Sequence, residues 1–594
     1  MDNMASLHGA HRSPTWVRWV VLGGVAILLL WSGWLVVRGL IARDQLTGAI
    51  PEARELSESV LDGQGADTAG LVADLKNRAE TASAMTHDPI WRLTEYVPWL
   101  GPNLTAVRQV TEIADTLTGN GLDPLISAAS QFDPDSFAIE DGAIDLAPII
   151  ALQGDIEAAN HAMTSAGQQA RAIDADATVG PVRDAVDQLL GLVDEVTSSV
   201  DAIDRTAHLL PVMLGADGPR NTLVLIQNNA ELRASGGISG ALAVMTGDNG
   251  AIELTAQGST RDFSPSYDRP ILPLDDATTA LYGDITGEFI QDVNLTPWFD
   301  TTGQLAKAMW EDRFGGTIDA VVAVDPVLLS YLLTATGPLP VGDITLTSEN
   351  AVAVLLSETY ARYPDPRDQD AFFAAAAQAV FSALTESSID PKAVVEALVR
   401  GGDEGRVRIW NARDDDQRWV EGTTLSGKLP SDNADGPRLG VYLSDGTGSK
   451  MDYYLSTEVS VASAMCRADG LPTYRVTVTL GNTAPADAAT SLPWYVTGGG
   501  EYGTPPGSIE TVVALYGPVD AVNQGATLDG AVANGHAAID RGRPAIVIPT
   551  ELAPGETVTL TADFVGAAPI KGPLVVDHTP LLAPVQVQHH SLGC

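Results

Sequence analysis

The sequence predicts a multidomain chain: a cytoplasmic tail (1–15), a single N-terminal transmembrane helix (16–40), a helical stalk or bundle (41–212), a central α/β domain (213–455) and a C-terminal β-sandwich (456–594). Three observations carry this. An uncharged apolar run lies near the start, apolar residues recur at helical spacing up to about residue 210, and beyond about 455 helical spacing gives way to strict alternation. At 594 residues the chain exceeds what one hydrophobic core supports, so several domains are expected.

The run "WVVLGGVAILLLWSGWLVV" holds 19 residues without a charge, enough for a helix to cross a bilayer. Trp16, Trp19, Trp31 and Trp34 lie towards its ends, where indoles favour the headgroup region. A cleaved leader would have a shorter apolar core and a small-residue cleavage site, so an uncleaved anchor is read here. Arg12 and Arg18 before the run and Arg38 and Arg43 after it leave the charge rule nearly neutral. The long acidic remainder reads as an exported ectodomain, which places the N-terminus in the cytoplasm.

Between 41 and 210 the clearest helix carries Val182, Val186, Leu189, Val193, Val196, Val200, Ile203 and Ala207 in steps of four and three, with Asp187, Asp194 and Asp201 on the other side. Such a seam packs back on its own chain or pairs with a second copy, making a stalk homodimer. Prolines 89, 98 and 102 interrupt the helices at "DPIWRLTEYVPWLGP".

From about 220 the pattern becomes α/β. "NTLVLIQ" is a strand, and "ISGALAVMT" and "AIELTAQ" form a hairpin around "GDNG". "TIDAVVAVD" is a further strand leading into a short helix that Gly337 and Pro338 stop. "DQDAFFAAAAQAVFSALTES" is an alanine-rich helix. In "TYRVTVTL", Tyr474, Val476, Val478 and Leu480 alternate with polar residues, and "AIVIPTELAPGETVTLTADF" repeats this across a Pro-Gly turn.

With 76 acidic against 34 basic residues, the net charge of −42 repels phosphate backbones and argues against nucleic acid as a partner. The only cysteines, Cys466 and Cys594, form one disulfide or remain two thiols. With no Cys-x-x-Cys pair, and with His589 and His590 the only adjacent histidines, no metal site is expected. No nucleophile elbow, metalloprotease helix, phosphate loop or dinucleotide fingerprint occurs.

The candidate site starts from "NNAELRASGG", where Arg233 follows Glu231 directly after a strand. Asn229, Gly236 and Gly237 shape the loop, either for positive φ or for close approach of the backbone to a ligand. Without a ligand, Arg233 would pair with Glu231 or with loop carbonyls, and Arg261–Asp262 would be a surface turn pair.

"LVLIQNNAELRASGGISGALAVMTGDNGAIEL", "STRDF", "GGTIDAVVAVDPVLLSYLLTATGPLPV" and "GVYLSDGTGSKMDYYL" resemble the family known as domain of unknown function 4012, over about 215–460. The resemblance implies an exported, singly anchored protein of Gram-positive bacteria. The order of elements is also similar to the LytR–CpsA–Psr phosphotransferases, which move wall polymers from a polyprenyl diphosphate carrier. That likeness implies diphosphate binding by Arg233, Arg261, Arg362 and Arg367, with Arg261 and Asp262 catalytic and Asp262 as base towards an acceptor hydroxyl. It also raises magnesium as a cofactor. Ala234 and Ser235 stand where its aspartate ligand would be, so no cofactor is expected. Two functions follow. The first is an envelope protein acting in cell-wall or surface-polysaccharide assembly through a degenerate or altered, polyprenyl-diphosphate-binding transferase-like domain, which if it is an enzyme is a phosphotransferase on a polyprenyl-diphosphate-linked glycan; its partners are the membrane, a polyprenyl-phosphate lipid or wall polysaccharide. The second is a non-catalytic envelope scaffold or polymer-binding protein with a large exposed apolar or aromatic patch on the sandwich and no convergent basic pocket.

Overall fold

The structure, a computed structural model, describes residues 15–61, 68–131, 139–140, 142–385 and 391–593. The expected cytoplasmic tail lies outside these except for its last residue. Packing divides the chain into two compact units, Met1–Ser136 with Ala147–His208, and Phe137–Leu146 with Leu209–Cys594.

The first unit is helical: α1 (Thr15–Leu61), α2 (Thr68–Thr86), α3 (Pro89–Thr94), α4 (Gly101–Thr116), α5 (Leu122–Gln131), α6 (Ala147–Arg171) and α7 (Gly180–Met213), the last running on into the second unit. α1 is long and apolar enough to cross a membrane, and its side chains from Leu22 to Leu30 are exposed. The seam on α7 faces the chain's own helices: Val186 and Val193 are buried with Val110 and Ile113 of α4 and Ala166 and Ala170 of α6, and Val200 is buried with Ala159 and Met163. Ile203 is exposed, and Asp187 and Asp194 face out as the spacing requires.

The second unit contains a seven-stranded mixed sheet, sheets of five and six strands, and a two-stranded sheet that pairs Leu339–Val341 with Ile344–Leu346. The first is built from β1 (Ile139–Glu140), β2 (Ala143–Ile144), β3 (Arg220–Asn228), β4 (Ile238–Asp248), β5 (Ala251–Ser259), β6 (Ala320–Val324) and a strand at Arg408–Asn411. β3 and β6 run parallel as the fifth and sixth strands in spatial order, and the other pairings are antiparallel. The expected β4–β5 hairpin is present, and its turn residues Asn249 and Gly250 both take positive φ, the combination that suits the strands' twist. Alternation along β6 sends Val321 and Ala323 into one core with Leu305, Met309 and Trp310 of a helix at Phe299–Phe314. It sends Val322 and Val324 into another, with Leu328 and Leu332 of the Pro326–Thr336 helix. Helices therefore cover both faces.

The two other large sheets have five and six strands. Strands at His536–Asp540, Arg543–Leu552, Ile509–Tyr516, Arg438–Asp445 and Val575–His578, in that spatial order, form one. Strands at Ala531–Val532, Val522–Leu528, Thr557–Val565, Thr473–Asn482, Leu455–Ala464 and Val587–Ser591 form the other. The alternation read from "TYRVTVTL" is observed: Tyr474, Val476, Val478 and Leu480 are buried. They share one core with Val441, Leu443, Val513, Leu515, Ile546 and Ile548 of the five-stranded sheet. Cys466 is disulfide-bonded; Cys594, the other half of the expected bridge, lies outside the described residues.

Candidate functional site

The 229–237 connection between β3 and β4 is short and apolar enough at Ala230, Leu232 and Ala234 to be buried almost completely. Leu232 enters the core shared by the five- and six-stranded sheets. A loop inserted this way must satisfy its main chain inside the protein. Leu232 N donates to Asp452 Oδ2 at 2.8 Å, Asp445 N donates to Leu232 O at 2.9 Å, and Thr579 Oγ1 donates to Ala234 O at 3.1 Å.

Gly237 is required by close approach, since a Cβ there would lie 2.1 Å from Asn228 O. Gly236 takes φ +143°. Asn229 is buried, with Nδ2 donating to Asp325 Oδ2 at 3.2 Å and to Pro580 O at 3.3 Å. Asp325 caps the Pro326–Thr336 helix through Leu328 N and pairs with Arg406 at 2.9 Å. Both glycines and Asn229 therefore serve the loop's own packing.

The charged side chains of the loop are matched from other segments. Arg233 is 6% exposed, and its Nη2 donates to Asp292 Oδ1 at 2.8 Å and its Nη1 to Leu232 O at 2.8 Å. Glu231 is ion-paired with Lys450, whose ammonium lies 5.0 Å from the Tyr495 ring centre and 5.7 Å from that of Tyr360. Asp445 accepts from Thr447 Oγ1 at 2.6 Å and from Gly448 N at 2.5 Å. Four carboxyl groups, Glu231, Asp292, Asp445 and Asp452, thus surround two cations. Burial, and then the nearby Glu231 carboxylate, push the Asp445 carboxyl up to about 6 against the pull of Arg233. Burial and then Asp445 hold Asp452 well above the usual carboxylate range, and Asp452 Oδ1 has no hydrogen-bond partner among the described residues. A site with this excess of carboxyl groups takes up protons in preference to anions.

The other expected ligands lie on the surface. Arg261 is ion-paired with Asp370 and donates to Pro366 O, at the start of the Pro366–Leu384 helix. Arg367 stands exposed in that helix's first turn, and Arg362, just before it, pairs with Asp343. Arg261, Arg362 and Arg367 thus share one stretch of surface, and no contact joins any of them to Arg233 among the described residues. The carboxylate of Asp262 accepts from Ser259 N at 2.7 Å and Ser259 Oγ at 3.2 Å, so it reaches back to the N-cap Ser259 as half of a capping box on the turn Thr260–Phe263. No three His, Cys, Asp or Glu side chains are grouped to hold a metal ion among the described residues.

Lys450 and Asp452 fall in the quoted stretch "GVYLSDGTGSKMDYYL", but neither they nor Asp292 is marked as a partner of the loop. Asp292, Lys450 and Asp452 lie 59, 219 and 220 residues from the loop residues they meet, and none sits in a periodic pattern.

Fold and site together define a multidomain protein whose N-terminal helix can span a membrane and whose central loop carries a buried ionic cluster. Residues 217–360 match the family described as protein of unknown function (DUF4012), a segment that begins just before β3 and takes in Arg233 and Asp292. No curated protein and no solved structure matches the chain, and these comparisons do not carry the likeness to the LytR–CpsA–Psr enzymes.

The raised carboxyls fix the sign of a pH effect. Asp445 holds its proton in the folded state up to about pH 6, whereas an unfolded aspartate loses it near pH ~3.9. Its contribution is therefore fully present below the unfolded value and is lost as pH rises through about 6. The thermal midpoint of the full chain should be higher at pH 5 than at pH 7.5, and Asp445→Asn should flatten that rise. Relief of the general acidic repulsion is common to both proteins, so their difference isolates the site. Identical profiles would contradict the assignment.

Proposed function

We propose that this chain is a membrane-tethered, non-catalytic protein of the cell envelope, with its folded units on the extracytoplasmic side and a glycan polymer of the wall as its partner. The observation that carries this reading is the state of Arg233. The guanidinium that would head an anion site is buried, bonded to Asp292 and crowded by further carboxyl groups, so a diphosphate arriving there would meet like charge. The capping role of Asp262 adds support, because a carboxylate held by Ser259 is not poised towards an acceptor hydroxyl.

The two packed sheets, read as a β-sandwich, supply a surface for the polymer. Trp494 and Tyr502, 60% and 70% exposed, project from one stretch rich in glycine. Exposed aromatic rings offer flat apolar faces with a polar edge, which suits the faces of sugar rings.

One observation favours the phosphotransferase reading: Arg261, Arg362 and Arg367 share one surface stretch, and Arg367 has no carboxylate partner among the described residues.

The full chain, purified in mild detergent, separates the two. On the scaffold reading, extracted lipid contains no more polyprenyl phosphate than an unrelated single-pass protein prepared alongside. The chain also co-sediments with purified wall polysaccharide, and Trp494→Ala with Tyr502→Ala weakens this at unchanged thermal midpoint. Enrichment of polyprenyl phosphate that Arg261→Ala abolishes would overturn the scaffold in favour of the transferase.

A further inference from the structure

The proline-interrupted stretch "DPIWRLTEYVPWLGP" belongs to no site described above, and in the first unit it lies against α1. Asp88 caps α3 by accepting from Ile90 N at 2.8 Å, and Trp91 turns inward. The Trp91 indole is buried with Leu35 and Leu104 and flanked by Trp31 and Trp34, and its Nε1 donates to Leu104 O at 3.1 Å. Arg38 on α1 fixes the same level: it lies over the Trp34 ring at 4.4 Å, donates to Met85 O at 3.0 Å and pairs with Asp88 at 3.7 Å.

The residues beside Trp91 turn the other way. Leu93, Tyr96 and Trp99 are 70%, 87% and 82% exposed, and Ile90 is exposed as well. Trp99 adopts φ +59°, a left-handed conformation that costs a bulky side chain energy, in a turn closed by Gly101 N donating to Val97 O at 2.8 Å. Retaining a strained tryptophan at a solvent-facing tip calls for something to receive it.

The register along α1 identifies the receiver. The uncharged run ends at Val37, and a helix rises about 1.5 Å per residue, so Trp31 lies roughly 9 Å inside that end. Trp91 packs alongside Trp31, Trp34 and Leu35, so α3 and the following turn sit at the depth of the leaflet that α1 leaves on the side of the folded units. Arg92 is exposed and has no protein partner among the described residues. It borders a hollow of about 340 Å³ with Leu93, Glu95, Tyr96 and Arg108, and Arg108 is itself neutralised by Glu95 at 2.7 Å and Glu112 at 2.9 Å.

We propose that Ile90–Trp99 is a second membrane contact: Leu93, Tyr96 and Trp99 enter the leaflet beside α1, and Arg92 meets phospholipid headgroup phosphate. Tyrosine and tryptophan suit this depth because each has an apolar body and a polar tip. The contact adds a lateral foot to the anchor and fixes the angle at which the first unit stands on the bilayer. This rests on α1 crossing the membrane and not on the scaffold reading.

The test uses the full chain carrying Leu93→Cys, Tyr96→Cys or, as a water-exposed reference, Val532→Cys. Each is nitroxide-labelled and reconstituted in phosphatidylcholine–phosphatidylglycerol vesicles. Labels at 93 and 96 should collide several-fold more often with oxygen than with a water-soluble nickel complex, relative to the label at 532. Collision ratios equal to that of the reference overturn the proposal. So does spin–spin broadening at 93 or 96 with water-like ratios, which would mark a second copy as the occupant.

Discussion

The second unit depends on the burial of charge in the loop that joins β3 to β4. Leu232 is driven into the core of the two C-terminal sheets, and the flanking Glu231 and Arg233 go with it. Removing ions from water costs several kcal/mol each unless partners and hydrogen bonds offset it. Lys450 and Asp292 supply the partners, and the Leu232 carbonyl supplies a further acceptor. The loop's partners therefore come from segments far along the sequence, Asp292 from the turn Ile290–Asp292 and Lys450 from the loop after the Arg438–Asp445 strand.

Arg233 needs no external anion although the chain is so acidic. Its counterions are the protein's own carboxylates. With four carboxyl groups around two cations, neutrality is completed by protons, which is the direction in which Asp445 and Asp452 are shifted. The same arithmetic removes the attraction that a phosphate would need. Among the exposed groups, two sets are chemically different: aromatic side chains at Trp494 and Tyr502, and the apolar tip around Trp99 beside the anchor.

Elements written in local periodicity were legible. The apolar run of α1, the seam of α7, the Asn249–Gly250 hairpin and the alternation of Thr473–Asn482 each follow from residues within one turn or one strand of each other. The site was not, because its partners are single charged residues with no pattern to mark them. Arg233 does donate to a loop carbonyl, that of Leu232. It does not pair with the neighbouring Glu231, which is ion-paired with Lys450. The Arg438–Asp445 strand shows the same limit: its neighbours at Ile509–Tyr516 and Val575–His578 are chosen by long-range packing, and no local signal announces them. Arg261 and Asp262 are indeed turn residues, but the partner of Arg261, Asp370, is again distant.

The central claim is that Arg233 is held by its carboxylate for the sake of the fold. A double-mutant cycle on Arg233→Met and Asp292→Leu, read by chemical denaturation of the full chain in detergent, tests this most directly. Each single change should cost about 3–5 kcal/mol by stranding a buried charge, and the double should cost much less than their sum. Single changes that are nearly neutral, or costs that simply add, would contradict it.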